Sequence, residues 1–240
     1  MTHSAGLPED SPLRRLAQFV SEIRKTILWL GAAVCGATVG FYFISATLFS
    51  FIQGHLHQHL AFFTVAEPFL AHVKISLTAA LFVLMPGIMY CFWKALAKPF
   101  EISRTGLFWF VFFTSLLFYS GAIFCYFVTL PYGIKFLLGF ESEQLRSVIS
   151  VGKFVTFVTI FVLAFGLIFE LPIFMVFAAK TGLCPRSSFI KGRRYAVLII
   201  SIVAAMLTPT PDVVNMMLMG GPLYILYEFG IITLKMLRVP

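Results

Sequence analysis

Glu170 is the only ionisable residue in a long apolar stretch of this sequence. From Phe154 to Ala179, every other residue is apolar or an uncharged Thr or Gly. At 1.5 Å of rise per helical residue, Glu170 lies about 24 Å from Phe154 and about 14 Å from Ala179. An ionised carboxylate at that depth of a bilayer costs on the order of a few kcal/mol, so the group must be protonated or must have a polar partner.

Three roles for this carboxyl follow from its chemistry. A neutral carboxyl can donate as well as accept a hydrogen bond, so Glu170 could be bonded to a Thr side chain or to the backbone of its own bundle. It could also relay protons, or it could receive a polar side chain from the membrane helix of another protein. The neighbouring residues leave all three roles open.

Two further carboxylates, Glu22 and Glu101, lie among cations outside the apolar stretches. Glu22 has Lys25 three residues later, and Glu101 lies between Lys98 and Arg104. Exposed pairs at such spacings contribute only about 0.2–0.5 kcal/mol. On spacing alone, local ion pairing is the simplest interpretation of both.

The elements that must position these groups are membrane helices. Hydrophobic residues make up 60% of the 240, charged residues 12%, and Phe alone occurs 29 times, so the chain lacks the polar surface of a soluble domain. We predict an all-α integral membrane protein in which a six-span domain at 13–240 follows a disordered tail at 1–12. The six apolar stretches run roughly as follows: Ile27–Phe51, Phe69–Trp93, Leu107–Leu130, Phe154–Ala179, Tyr195–Leu207 and Val213–Thr233.

The distribution of Lys and Arg predicts the orientation. Fourteen of the 18 cations fall before span one, between spans two and three, between spans four and five, or after span six. Cytoplasmic loops carry such an excess, so both termini should be cytoplasmic. The net charge of +8 therefore mostly reflects topology, and no basic patch interleaved with exposed aromatics supports nucleic-acid binding.

Segments beside the spans have patterns of their own. From Leu13 to Ile27 apolar residues recur at helical spacing opposite a charged face, which predicts an amphipathic helix on the cytoplasmic membrane surface. The loops at 52–68 and 131–150 contain enough Phe and Leu to fold as caps at the interface. Within the first loop, His55, His57 and His59 could share a metal only on an extended segment, and an ordinary polar loop is the simpler interpretation. We predict no cofactor and no metal site.

Spans five and six are predicted to be short. Tyr195–Leu207 amounts to about 20 Å of helix against roughly 30 Å of hydrocarbon, and Gly220, Gly221 and Pro222 interrupt span six. Thinned lipid or a partner helix must cover this mismatch. We also expect a concave bundle, because four prolines each remove a backbone donor and bend their helix: Pro86, Pro131, Pro172 and Pro222.

Three segments are long and distinctive enough for comparison with a known family: "SGAIFCYFVTLPYGIKFLL", "FGLIFELPIFMVF" and "RRYAVLIISIVAAMLTPTPDVVNMMLMGGPLYILYEFGI". They resemble the TatC family, the polytopic subunit of twin-arginine protein translocases. Weaker matches at "TVAEPFLAHVKISL" and "SEIRK" extend the resemblance from about Leu13 to Leu237. It implies an inner-membrane protein that receives signal peptides with two adjacent arginines. With TatA-type and TatB-type single-span partners, and as one of several copies in a receptor complex, it would export folded proteins using the proton-motive force.

The resemblance implies a signal-peptide site on the N-terminal segment and on the loop between spans two and three. This sequence has Glu22, Arg24 and Glu101 there. Carboxylates match the planar fork of a guanidinium, which Lys cannot fully exploit. The sequence departs from the family at Phe19, where a His is usual, and at Thr26, where a basic residue is usual.

The resemblance also favours the docking role for Glu170, because the corresponding glutamate is associated with a partner helix that bears a polar residue. Met216 stands where the family commonly has Gln. We expect no enzyme activity, since GxSxG and HExxH sequences are absent. The implied docking residues are Glu170, Pro172, Met206, Thr208 and Asp212.

Overall fold

The computed structural model of the chain describes residues 12–54, 61–97, 100, 102–138, 149–207 and 213–237. For residues 12–25, 136–138, 207, 214, 215 and 218 it describes the backbone alone. A π-helical turn at Cys125–Thr129 joins α4 to α5. The helices are α1 (Pro12–Tyr42), α2 (Ser45–Gln53), α3 (Glu67–Ala97), α4 (Arg104–Phe124), α5 (Leu130–Leu138), α6 (Val151–Phe169), α7 (Leu171–Lys180), α8 (Arg186–Lys191), α9 (Arg193–Leu207) and α10 (Val213–Met236).

Three helical segments in this part of the chain are long and apolar enough to cross a membrane: Glu67–Ala97, Arg104–Lys135 and Val151–Lys180. A fourth is added if the bent pair Thr26–Tyr42 and Ser45–Gln53 counts as one span. The prediction of a helical protein with apolar, membrane-length helices is confirmed. Helices α9 and α10 are not among these segments, so the count of six spans stays a prediction.

The predicted first span, Ile27–Phe51, is not one straight helix. The chain bends by 77° between Tyr42 and Ser45, where the Ser45 hydroxyl donates a hydrogen bond to the Tyr42 carbonyl (2.6 Å). Helix α2 is then held by Tyr126, whose ring stacks on Phe51 at 5.3 Å and whose hydroxyl donates to the Phe51 carbonyl (2.8 Å). A contact with the π-helical turn thus holds the second half of this stretch at an angle to the first.

The predicted interruption of span six is also absent. Helix α10 continues for 24 residues with Pro222 inside it, because one missing N–H removes a single hydrogen bond and can leave a membrane helix intact. Helix α9 has 15 residues, about 22 Å at 1.5 Å per residue. The expected shortness therefore applies to the helix of span five and not to the helix of span six.

One end of the bundle collects the cations that predicted the cytoplasmic side. Lys180, at the end of α7, lies 6.0 Å above the ring of Phe110 near the start of α4. Arg193 at the start of α9 forms an ion pair with Glu228 of α10 at 2.8 Å. We call this the Lys180 end, and we call the opposite end, where α3 and α6 begin, the Glu67 end.

Helices α4 and α6 approach each other closely through two glycines. A Cβ atom at Gly121 would lie 2.6 Å from Cγ of Phe169 and 2.8 Å from the backbone oxygen of Phe165. A Cβ atom at Gly166 would lie 2.5 Å from Cε2 of Phe118. Small residues permit such contacts between membrane helices, and here they fix α6 up to the residue before Glu170.

We expect Gly121→Ala to lower the stability of the chain by about 1–3 kcal/mol, because the added methyl group overpacks the α4–α6 contact against backbone that cannot move aside. The loss would be measured as a lower midpoint of thermal unfolding in detergent. Gly87→Ala in α3 is the control, since a Cβ there meets nothing within 4 Å. A Gly121→Ala chain as stable as the control would contradict this account of the helix contact.

Candidate functional site

Glu170 lies at a break between α6 and α7. Pro172 follows two residues later near the start of α7, and proline both lacks an N–H and disfavours helical geometry in the residue before it. The Glu170 carbonyl accepts from the N–H groups of Ile173 (3.0 Å) and Phe174 (3.2 Å), so hydrogen bonding continues across the break. A carboxyl group thus lies at a one-residue interruption, which we call the hinge, of a 30-residue apolar segment, Val151–Lys180.

The side chain of Glu170 is closed off from its surroundings by its own bundle. It is 1% exposed, and its Oε1 atom has no hydrogen-bond partner. A buried polar atom left without a partner costs about 1–3 kcal/mol. The carboxyl is therefore neither open to lipid, as an empty docking point on the surface would be, nor satisfied at Oε1 by an internal hydrogen bond.

The hinge is packed against α10. A Cβ atom at Gly230 would lie 2.6 Å from Sδ of Met175 and 3.4 Å from Cα of Pro172. Pro172, which is one of the predicted docking residues, is itself buried. The break is therefore covered on the α10 side by a packed interface, in which the contact of the flexible Met175 thioether with Gly230 is one part.

Of the remaining predicted docking residues, the structure describes only Met206. It lies in α9, is 81% exposed and lines a cavity together with Gly152 and Phe161 of α6. Thr208 and Asp212 lie outside the described residues. Met206 is therefore exposed to this cavity, whereas Glu170 is closed inside the bundle.

The structure describes no side chain of the predicted signal-peptide residues. Glu22 and Arg24 belong to α1 by their backbone, and Glu101 lies outside the described residues, as do His55, His57 and His59. The flanks of Glu101 are nevertheless anchored. The Ile102 N–H donates to the Ala97 carbonyl (3.1 Å), and Phe100 packs edge-on against Phe177 with ring centroids 5.2 Å apart.

Sequence reasoning missed Glu67, the first residue of α3. Its carboxylate accepts hydrogen bonds from the Ser150 hydroxyl, from the Gly152 N–H (3.1 Å) and from the Phe63 N–H (2.7 Å). An acid followed by Pro at the start of an apolar run does predict a helix start. Its partners could not be found that way, because Ser150 lies 83 residues further along the chain.

A bundle of long apolar helices with a carboxyl buried at a hinge defines the class of the protein: a polytopic membrane protein. Comparison with known proteins identifies the family. Residues 18–222 match the profile of the Sec-independent protein translocase protein TatC. The chain belongs to the TatC family, and is therefore a component of the twin-arginine protein translocase rather than an enzyme.

Curated relatives agree over almost the whole chain. The TatC protein of Carboxydothermus hydrogenoformans is 32% identical over 236 residues, which cover 96% of each chain. The TatC protein of Helicobacter pylori strain J99 is 34% identical over 224 residues, which cover 93% of this chain and 90% of the relative.

Solved structures agree with the fold. A crystal structure of the twin-arginine translocase receptor TatC superposes with a TM-score of 0.80 and 27% identity. It covers 90% of this chain and 98% of the receptor. A second crystal structure of that receptor gives a TM-score of 0.79. The helical arrangement described above is thus that of the family.

Replacing Glu170 with Met, which is apolar and of similar volume, should stabilise the isolated chain by about 1–3 kcal/mol, because an unsatisfied buried atom is removed. Thermal unfolding in detergent measures this. Glu67→Met is the matched control: it removes a carboxylate with three hydrogen bonds and should lower the midpoint. If Glu170→Met destabilises the chain as much as Glu67→Met does, the description of Glu170 as an unsatisfied group is wrong.

Proposed function

We propose that this protein is the signal-receptor subunit of the translocase. It lies in the cytoplasmic (inner) membrane with six spans and both termini in the cytoplasm, so that the Lys180 end faces the cytoplasm and the Glu67 end faces outward. The excess of cations at the Lys180 end supports this orientation. The observation that supports the proposal most strongly is the state of Glu170. In this member of the TatC family, the acid is buried and its Oε1 atom has no hydrogen-bond partner.

Twin-arginine signal peptides bind at the Lys180 end, where Glu22 and Glu101 accept the two guanidinium groups and Arg24 helps to exclude unsuitable partners. Paired carboxylates give the charge-assisted, forked hydrogen bonds that select Arg over Lys. The anchored flanks of Glu101, at Phe100 and Ile102, support this role, because a site held by packed neighbours loses less entropy when it binds.

TatA-type and TatB-type partner helices dock beside the α6–α7 hinge. Because Glu170 is closed off in the isolated chain, a polar residue of the partner reaches it only after α7 and α10 separate at the Met175–Gly230 contact. The partner then supplies the hydrogen bond that Oε1 lacks. Docking is thus coupled to a conformational change, and the energy of the unsatisfied carboxyl favours the docked state. Pro172 belongs to this contact, and Met206, on the exposed side of α9, lies further along the partner's path. Thr208 and Asp212, which follow Met206 in the sequence, complete the proposed docking residues.

Copies of the subunit assemble in a receptor complex, and folded cargo leaves the cytoplasm at the expense of the proton-motive force. The short helix α9 contributes to the passage. At about 22 Å it spans less than the roughly 30 Å of hydrocarbon, so lipid beside it is thinned. Thin lipid lowers the energy needed to open a path once the partners have assembled.

The two carboxylates should separate in function. We expect Glu101→Ala to abolish binding of a twin-arginine peptide at concentrations that saturate the unaltered chain, because its guanidinium acceptor is gone. Glu170→Ala should lower export while peptide binding stays nearly unchanged. Crosslinking of the purified chain to an Arg-Arg peptide measures binding, and export of a folded reporter measures transport.

The corresponding Lys-Lys peptide is the control for this pair, because it keeps the charge and removes the forked donors. Unchanged binding in Glu101→Ala would remove that residue from the site. Equal loss of binding and export in Glu170→Ala would show that the hinge does not have a separate role in docking.

Lengthening α9 by one turn of four Leu residues should slow export, since a longer helix matches the bilayer and restores its thickness. The rate of reporter export in vesicles measures this effect. Binding of the Arg-Arg peptide should be retained and serves as the control for correct assembly. Export at the unaltered rate would contradict the thinning mechanism.

A further inference from the structure

A cavity of about 730 Å³ lies between α3 and α6 at the Glu67 end, beside the end of α9. It has a polar rim and an apolar wall. The rim contains Glu67, Lys74, Ser150, Lys153 and Thr156, and the wall contains Leu70, Phe157, Ile160, Phe161 and Met206. The cavity is separate from the Glu170 hinge and from the proposed signal-peptide site at the other end of the bundle.

The rim carries more positive than negative charge. Arg193–Glu228 is the only ion pair formed between residues that the structure describes, so neither Lys74 nor Lys153 has one there. Glu67 keeps its negative charge, because the hydrogen bonds from Ser150, Gly152 and Phe63 come from neutral donors. Two lysines against one carboxylate leave the described rim with a surplus of positive charge.

Lys74 is held in place for binding. Its Nζ atom donates to the hydroxyl oxygen of Thr156 (2.7 Å), and that hydroxyl in turn donates to the Gly152 carbonyl (2.7 Å). An ammonium group has three donors, so two remain free to meet an anion. A lysine whose position is already fixed loses less side-chain entropy when it binds.

The polar and apolar side chains of the cavity are arranged as a bilayer requires, with the polar groups nearer its surface. Glu67 and Val151 start their helices at the same end, and Lys74 lies about 10 Å along α3 from Glu67. Ile160, which is 58% exposed, lies about 14 Å along α6 from Val151. The cations thus lie nearer the interface, and the apolar wall continues from them toward the centre of the bilayer.

We propose that this cavity binds an anionic phospholipid from the leaflet at the Glu67 end, with its phosphate between Lys74 and Lys153 and an acyl chain along the wall formed by Phe157 and Ile160. Charge complementarity selects an anionic headgroup, since each lysine near the membrane surface contributes about fivefold in affinity. The proposal goes beyond the receptor function and does not depend on it.

The size of the cavity suits a lipid headgroup. Its volume of about 730 Å³ lies in the range of small-molecule sites. A phosphate headgroup with part of an acyl chain fits such a site.

The test uses the full chain, purified in neutral detergent and mixed with phosphatidylglycerol and phosphatidylcholine of identical acyl chains. Native mass spectrometry counts the lipids that stay bound. We expect the unaltered chain to retain phosphatidylglycerol in preference to phosphatidylcholine, and the double variant Lys74→Gln, Lys153→Gln to lose about 25-fold in that preference. Lys135→Gln is the matched control, because this exposed lysine lies in α5 outside the cavity and should retain the full preference.

Ile160→Trp tests the wall without changing any charge. It fills the cavity and should reduce phosphatidylglycerol binding to the level of the double variant. Equal retention of the two lipids by the unaltered chain would overturn the proposal, as would the same loss in Lys135→Gln as in the double variant. If a single-span peptide with an acidic residue displaces the lipid from the unaltered chain at equimolar concentration, the cavity belongs to a partner helix and the proposal is wrong.

Discussion

Hydrocarbon offers no water, so each polar group inside this bundle must find its partner within the protein. Several hydroxyl groups do so locally. Those of Thr38, Ser76, Thr114 and Thr159 donate to the carbonyl four residues earlier, and Thr114 also accepts from Nε1 of the fully buried Trp93 (2.9 Å). Five buried side-chain atoms in the described part of the chain lack a partner, and Glu170 Oε1 is the only carboxylate oxygen among them. This buried acid lies at the only described break inside Val151–Lys180, and the docking role that we propose rests on this combination.

The apolar pattern of the sequence was sufficient to predict the helices α3, α4, and α6 with α7, because membrane helices need a continuous apolar run whatever their neighbours are. Helix α5 was not predicted, since it lies almost entirely within residues 131–150, which were expected to form a loop. The depth of Glu170 followed in the same way. The bend before Ser45 could not be predicted, since Tyr126, which holds α2 in place, is 75 residues away from Phe51. The continuity of α10 past Pro222 was missed for a related reason. Helix propensity alone does not show that, in lipid, the backbone N–H and C=O groups must find their hydrogen bonds inside the protein.

Closure of Glu170 was likewise beyond sequence reasoning. An acid in an apolar run can face lipid, a partner or its own bundle, and which of these holds depends on residues that are distant in the chain. Here the neighbouring Phe169 packs against Gly121 of α4, and Pro172 packs near Gly230 of α10. Neither glycine stands out in the sequence. The same limit applies to Glu67, whose helix start was predictable but whose partners Ser150 and Gly152 were not.

The two ends of α6 are held by different contacts, and this difference bears on the docking that we propose. At its start, Glu67 ties α3 to Ser150 and Gly152, and the Ala61 N–H donates to the Ile149 carbonyl (3.0 Å). Along its length, two glycines bring α6 close to α4. Beyond Glu170, α7 packs against α10 in a buried apolar cluster that includes Met175 and Ile231. In the proposed docking, exposure of Glu170 requires α7 to move relative to α10 across this cluster, while the contacts of α6 with α3 and α4 stay in place.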